Sequence, residues 1–251
     1  MPQWNMPMRV THGIENAYPS SVVRESKTEE YMKAGIISTA ILTLAFHANA
    51  QLIITGIIDG PLSGGLPKAV ELFALDEIPD LSIYGIGSAT NGGGSDGVEY
   101  SFSGSAAEGD FLYVSLEIEG FEAFFGFAPD FDATTAALSI NGDDAIELFQ
   151  EGVVIDTFGE ITHGGGLLAW SYVDGWAYRT NFTGPDGASF ELSNWILSGE
   201  GALAGATSNT AASVPFPIGS FVPVPEPATA LLLMAGLAVA VFACRRRRFE
   251  A

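Results

Sequence analysis

Between Gln51 and Leu197 the chain alternates short apolar runs with clusters of Gly, Asp, Asn and Pro. Runs rich in Val, Ile, Phe and Tyr, bounded by such clusters, are the pattern of β-strands. The pattern predicts strands at 51–58, 69–75, 98–102, 111–118, 137–140, 145–149 and 153–158, then at 168–172, 176–180, 189–192 and 195–197. Asn141-Gly142 after Leu138-Ser139-Ile140 suits a tight hairpin, because both residues tolerate positive φ. Glu151-Gly152 falls between two further runs, so a meander is expected over 137–158. No stretch holds a 3.6-residue period over three turns, and no helix is expected in this body. Many short strands separated by turn signals point to an all-β sandwich or barrel. Ala69-Val70-Glu71-Leu72-Phe73 returns as Ala145-Ile146-Glu147-Leu148-Phe149. With unlike flanks, that echo reads as two strands sharing one in-out alternation, not as a duplicated domain.

Two different apolar patterns flank the body. Met32-Lys33 opens the 13-residue run Ala34–Phe46, followed by His47-Ala48-Asn49-Ala50. A short basic start, an apolar core and a small-x-small end make a signal-peptide helix over 32–50. Cleavage is expected after Ala50, with Ala48 and Ala50 as the small residues and Gln51 as the new N-terminus. A buried helix is the alternative. Residues 1–31 carry no periodicity and do not belong to a signal, so they read as an upstream extension of a chain translated from Met32. At the other end, residues 228–244 are 17 apolar positions followed by Arg245, Arg246, Arg247 and Arg248. A helix of that length reaches about 25 Å, the short end of a bilayer span. The arginines belong on the cytoplasmic side. A single C-terminal transmembrane helix and an exported body are therefore expected, with inner-membrane anchoring. Residues 198–223 shift to Gly, Ala, Ser, Thr and Pro and read as a flexible linker between the domain at 51–197 and the tail at 224–251.

Charge sharpens this division. The 251 residues carry a net −20. Between Gln51 and Pro223 there are 24 acids against two bases, Lys68 and Arg179, so the body stands at −22. Nucleic acid is excluded as a direct partner, since phosphate binding needs clustered Lys and Arg. The one cysteine, Cys244, excludes a disulfide framework and any Cys-based zinc site.

Pro225-Glu226-Pro227, the apolar run directly after it and the terminal Arg245–Arg248 cluster resemble a PEP-CTERM sorting signal over 224–251. The resemblance implies a Gram-negative source, secretion machinery and an exosortase-type transpeptidase-like enzyme as partners, and cutting near the tripeptide. A plain single-pass anchor is the alternative. A second resemblance lies in the body. Leu52–Gly56, Ala69–Phe73, Asp80-Leu81-Ser82-Ile83-Tyr84-Gly85, Gly109–Val114 and Asn141–Leu148 with Val154-Ile155-Asp156 are similar, in order, to segments of lamin-tail domains. It implies an immunoglobulin-like β-sandwich used as an accessory or interaction module, with no catalytic residues to carry over. The Gly-rich stretch 91–97 and the region 170–197 depart from that pattern.

The chemical candidates are few. Asp96 in the 91–97 loop and Asp143-Asp144 offer hard oxygen ligands beside Gly and Asn, which suits calcium, the one cofactor considered. Solvated loop ends are the alternative. Trp170 and Trp176, each two residues from a tyrosine, would share a strand face and could stack on extracellular polysaccharide; core packing is the alternative. His163 is the body's one histidine and sits in a Gly-rich loop, where a lone surface histidine is the alternative to a general base. With 24 acids, carboxylate pairs carry no signal for glycoside hydrolysis. The expectation is a non-enzymatic structural or interaction protein of the cell envelope or extracellular matrix. A carbohydrate-binding or calcium-dependent adhesion module is the alternative, and a carboxylate-based hydrolase the third reading.

Overall fold

The structure is a computed structural model, and it describes residues 50–133, 136–164 and 168–225. The expected extension at 1–31, the signal up to residue 49, the span at 228–244 and the arginine cluster lie outside the described residues. Everything below falls within the unit Asn49–Ala251.

Among the described residues ten strands build two sheets. One contains β1 (Leu52–Leu62), β2 (Leu66–Ala74), β5 (Phe111–Ser115), β6 (Phe131–Asp132), β9 (Trp176–Arg179) and β10 (Trp195–Leu197). Its order is β10-β9-β1-β2-β5-β6, and its strands pair antiparallel except β5 with β6. The other contains β3 (Tyr84–Ala89), β4 (Tyr100–Ser101), β7 (Ala145–Gln150) and β8 (Val153–Phe158), in the order β4-β3-β7-β8. Ile54, Ile57, Val70, Leu72 and Val114 of the first sheet and Ile86, Ile146, Leu148 and Phe158 of the second fill one shared core. The repeated A-x-E-L-F sequence thus places its Val70/Leu72 and Ile146/Leu148 pairs in the same core from opposite sheets. The hairpin between β7 and β8 turns on Glu151 and Gly152, both at positive φ (51° and 78°), as a type I′ turn requires.

The outer face of the six-stranded sheet is also covered. Ile53, Ile58, Phe73, Tyr113, Trp176 and Tyr178 pack there against helix α1 (Ile118–Phe125) and against the segment after β10. Helix α1 starts at Glu117, whose carboxylate accepts the Gly120 N–H at 2.6 Å, and ends at Gly126 with φ 84°. It buries Phe121 and Phe124, three residues apart on one face.

A slip of register between Ile54 and Gly56 bulges β1 at Thr55. The bulge leaves Thr55 without a partner on β2, and side chains of β8 and β9 take up the backbone groups of Ile54. Asp156 accepts its N–H at 2.9 Å and Arg179 Nε donates to its carbonyl at 2.6 Å.

Three sequence expectations differ from the structure. Residues 137–140 are not a strand; a 3-10 turn at Ala136–Leu138 drops Leu138 and Ile140 into the core, so Asn141-Gly142 closes no hairpin. Residues 168–172 and 189–192 are irregular, their apolar side chains lying on the core as plugs. The stretch 111–118 ends as a strand at Ser115 and gives way to α1, whose two turns are too short to show a period.

Candidate functional site

The expected linker is not a free tether. From Ser198 to Val222 the chain is a strap lying on the outer sheet face, with Ala202, Leu203, Phe216 and Phe221 buried. Its apolar residues are sparse among Gly, Ser and Pro, and of the large ones only Val214 and Val222 stay exposed. Gly201 and Leu203 N–H donate to the carbonyls of Val173 and Asp174 (2.8 and 2.9 Å). Asn209 closes a loop by pairing with both backbone groups of Phe216: Oδ1 accepts from N at 2.8 Å and Nδ2 donates to O at 3.0 Å. The Phe216 ring packs 5.2 Å from Tyr178 and 6.1 Å from Trp176 and lies over Gly56, where any Cβ would overlap it. Gly56 is therefore the seat of the strap.

Glu71 fixes its far end. This carboxylate is fully buried without a cation. Oε1 accepts from Thr55 Oγ1 and Tyr178 OH, both at 2.8 Å, and Oε2 accepts the Gly219 N–H of the strap at 2.8 Å. Burial pushes the Glu71 carboxyl above its ordinary range, against the pull of Gly219, Thr55, Tyr178 and Tyr113. Burial and then the Glu71 charge push the Tyr113 and Tyr178 phenols up as well. Ser220 N–H donates to Tyr178 OH at 3.0 Å, and Phe221 stacks edge-on to Phe73 at 5.5 Å. The last tie is reciprocal: Val222 N–H donates to Asn181 Oδ1 (3.0 Å), and Phe182 N–H donates to Val222 O (2.9 Å). Beyond it come Pro223, Val224 and Pro225 at the edge of the described residues. Phe182 beside this exit is 60% exposed and holds a φ of 63°, a sparsely populated region for an aromatic residue.

Of the expected sorting residues, Pro225 is described and follows directly from the strap; Glu226, Pro227 and Arg245–Arg248 lie outside the described residues. At the other end Ala48 lies outside them, while Ala50 and Gln51 lead directly into β1.

The calcium candidates do not assemble as ligands. Asp144 does bring the two loops together, but by accepting the Asn91 and Asn141 N–H groups at 2.6 and 3.0 Å. Donors aimed at a carboxylate take up the lone pairs a cation needs. Burial raises the Asp144 carboxyl against those two bonds. Asp96 is exposed, and among the described residues no three His, Cys, Asp or Glu side chains gather around a metal position. The carbohydrate face is corrected outright. Trp170 is 2% and Trp176 6% exposed, the first in the core between the sheets and the second under the strap. Neither ring offers a face to a sugar.

One open cleft of about 270 Å³ is lined by Glu160, Ile161, Thr162, His163 and Phe190 among others. Glu160 Oε2 and Thr162 Oγ1 both approach the same His163 nitrogen, Nδ1, at 3.0 and 3.3 Å. A relay needs the orienting acid and the nucleophile on opposite ring nitrogens, so this trio is not arranged as one.

Residues 223–248 match the PEP-CTERM protein-sorting motif. That motif implies export and handling by an exosortase-type enzyme at the membrane, toward the cell surface. No curated protein and no solved structure matches the chain. The exit of the strap, from Glu71 to Pro225, leads directly into that motif and is the candidate site. Sequence reasoning missed Glu71 and Phe182. The one available signal was Phe216 and Phe221 in a supposed linker, since a free tether has no use for large apolar side chains.

Proposed function

We propose that this chain is exported cargo of an exosortase-type system, carrying a lamin-tail-like, immunoglobulin-like β-sandwich that acts without catalysis as a structural or interaction protein of the envelope or matrix. The observation that carries the sorting half is the motif at 223–248 placed directly after a folded strap that is uncharged from residue 201 onward. Two face-packed sheets support the lamin-tail half, with β2 and β7 supplying its V-E-L and I-E-L segments and Asp156 lying on β8 opposite Leu148. In this reading secretion machinery removes residues up to Ala50, the apolar run 228–244 holds the precursor in the inner membrane, and the sorting enzyme acts near Pro225-Glu226-Pro227. Intact mass of the mature protein from its own host tests it. The expected mass begins at Gln51 and lacks the residues after the tripeptide. A mature protein that still carries Arg245–Arg248 overturns the sorting reading.

A further inference from the structure

The strap has a property that its packing does not require. Residues 201–225 contain no charged side chain, within a body at −22. At their end Val222 and Val224 are exposed, beside the exposed Phe182. The neighbouring residues Asn181, Thr183 and Gly184 are uncharged, and the nearby Arg179 is buried in ion pairs with Asp156 and Asp186. Between Val222, the last residue tied to the body, and Ala228, the first of the apolar run, lie only five residues, three of them proline. At about 3.1 Å per residue in the extended form proline favours, the six steps from Val222 to Ala228 reach roughly 19 Å. Headgroups occupy about 5–8 Å of each side of a bilayer. The tether therefore keeps the Phe182–Val222 corner within about 14 Å of the lipid surface. An acidic body held so close to anionic lipid is repelled over a Debye length of about 8 Å, and turning an uncharged face to the surface minimises that cost.

We propose that the face formed by Phe182, Val222 and Val224 rests on the bilayer surface in the tethered precursor, with the Phe182 ring at headgroup level. It rests on the reading of 228–244 as a membrane anchor. Aromatic rings are favoured at that depth, and Phe182 is 60% exposed on backbone whose N–H is tied to Val222. The consequence is that Pro225-Glu226-Pro227 is presented at the membrane–water boundary against a fixed face of the body, not on a long free leash.

The test uses the full-length protein with Cys244→Ser, carrying a nitroxide on Phe182→Cys, on Val222→Cys or on Val153→Cys, in phosphatidylethanolamine–phosphatidylglycerol vesicles. Val153 is 65% exposed on β8, the edge strand of the other sheet. The expected result is loss of relaxation by an aqueous nickel chelate at 182 and 222, but not at 153, compared with the same protein in detergent-free buffer after removal of the tail. Equal nickel access at all three sites in protein that floats with the vesicles overturns the proposal and leaves the anchor reading intact. Protein that does not float with the vesicles overturns both. Protection at 182 that persists without lipid assigns the face to a second copy and also overturns it.

Discussion

Arg179 Nη2 lies 2.8 Å from both carboxylate oxygens of Asp156, and this buried pair joins β9 of one sheet to β8 of the other. Asp156 also accepts the N–H groups of Ile54 and Asp186, while Arg179 donates to the carbonyls of Ile54 and Gly184 and lies 4.5 Å from the Trp195 ring. Two sheets that share only apolar contacts can slide; a pair locked to a bulged backbone fixes one alignment.

Removing one member leaves the other charge buried and alone. Arg179→Met and Asp156→Asn are each expected to cost about 3–5 kcal/mol in urea unfolding. The double variant Arg179→Met/Asp156→Asn should cost clearly less than their sum, because each single change already removes the pair. Additive losses would show that the two groups act independently.

The strap should loosen from its seat before the sandwich opens. Phe216→Ala removes a fully buried ring and is expected to cost up to about 3–5 kcal/mol, with faster amide exchange at Gly219, Ser220 and Val222. Gly56→Val forces the same ring out and should give the same exchange pattern. Because both act on one contact, the double variant should lose little more than either alone. Unchanged exchange at Gly219 in Phe216→Ala would detach the strap from this seat.

What the residue pattern disclosed follows from what reports locally. β1, β2, β5 and the β7–β8 hairpin were legible because alternation and turn residues are properties of neighbours in sequence. Helix α1 was not, because eight residues make only two turns, too few to show a 3.6-residue period. The strap was not, because its order comes from distant partners: Gly56 makes room for Phe216, and Glu71 receives Gly219. Alternation put Glu71 on the face away from the core, which looked like solvent; only the strap above it makes that face an interior. The tripeptide was legible at once, since its three parts are contiguous, while its stand-off from the body depends on the tie between Asn181 and Val222.

Millimolar calcium or a chelator should leave the melting temperature unmoved. A ligand that binds only the folded state raises it, whereas Asp144 is fully buried and already accepts two backbone donors. A rise with calcium that Asp143→Asn abolishes would restore a cation site at that loop.

Stability should rise as the pH is lowered from neutral. Burial raises the native carboxyls of Asp59, Glu71, Asp144 and Asp156 above their ordinary values, opposed by Lys68 at Asp59 and by Arg179 at Asp156. A carboxyl raised by folding binds its proton more tightly in the native chain. The folded state therefore holds more protons than the unfolded one across the interval from the ordinary values, 3.8 for Asp and 4.5 for Glu, up to the native ones. Stability is then fully present below the ordinary values and is lost as pH rises through the native ones. Repulsion within a body at −22 works in the same direction, and salt separates the two: screening weakens repulsion between exposed charges but not the burial of Glu71. The urea midpoint of residues 51–251 should increase between pH 7.5 and pH 5, and part of that increase should survive in high salt. Glu71→Gln should flatten the surviving part. It should also lose about 1–3 kcal/mol at pH 5, because its amide sets a donor against the Thr55, Tyr178 and Gly219 donors. A midpoint that climbs with pH over this range would mean that these carboxyls are held ionised by their donors, and Glu71 would then tie the strap down as an anion.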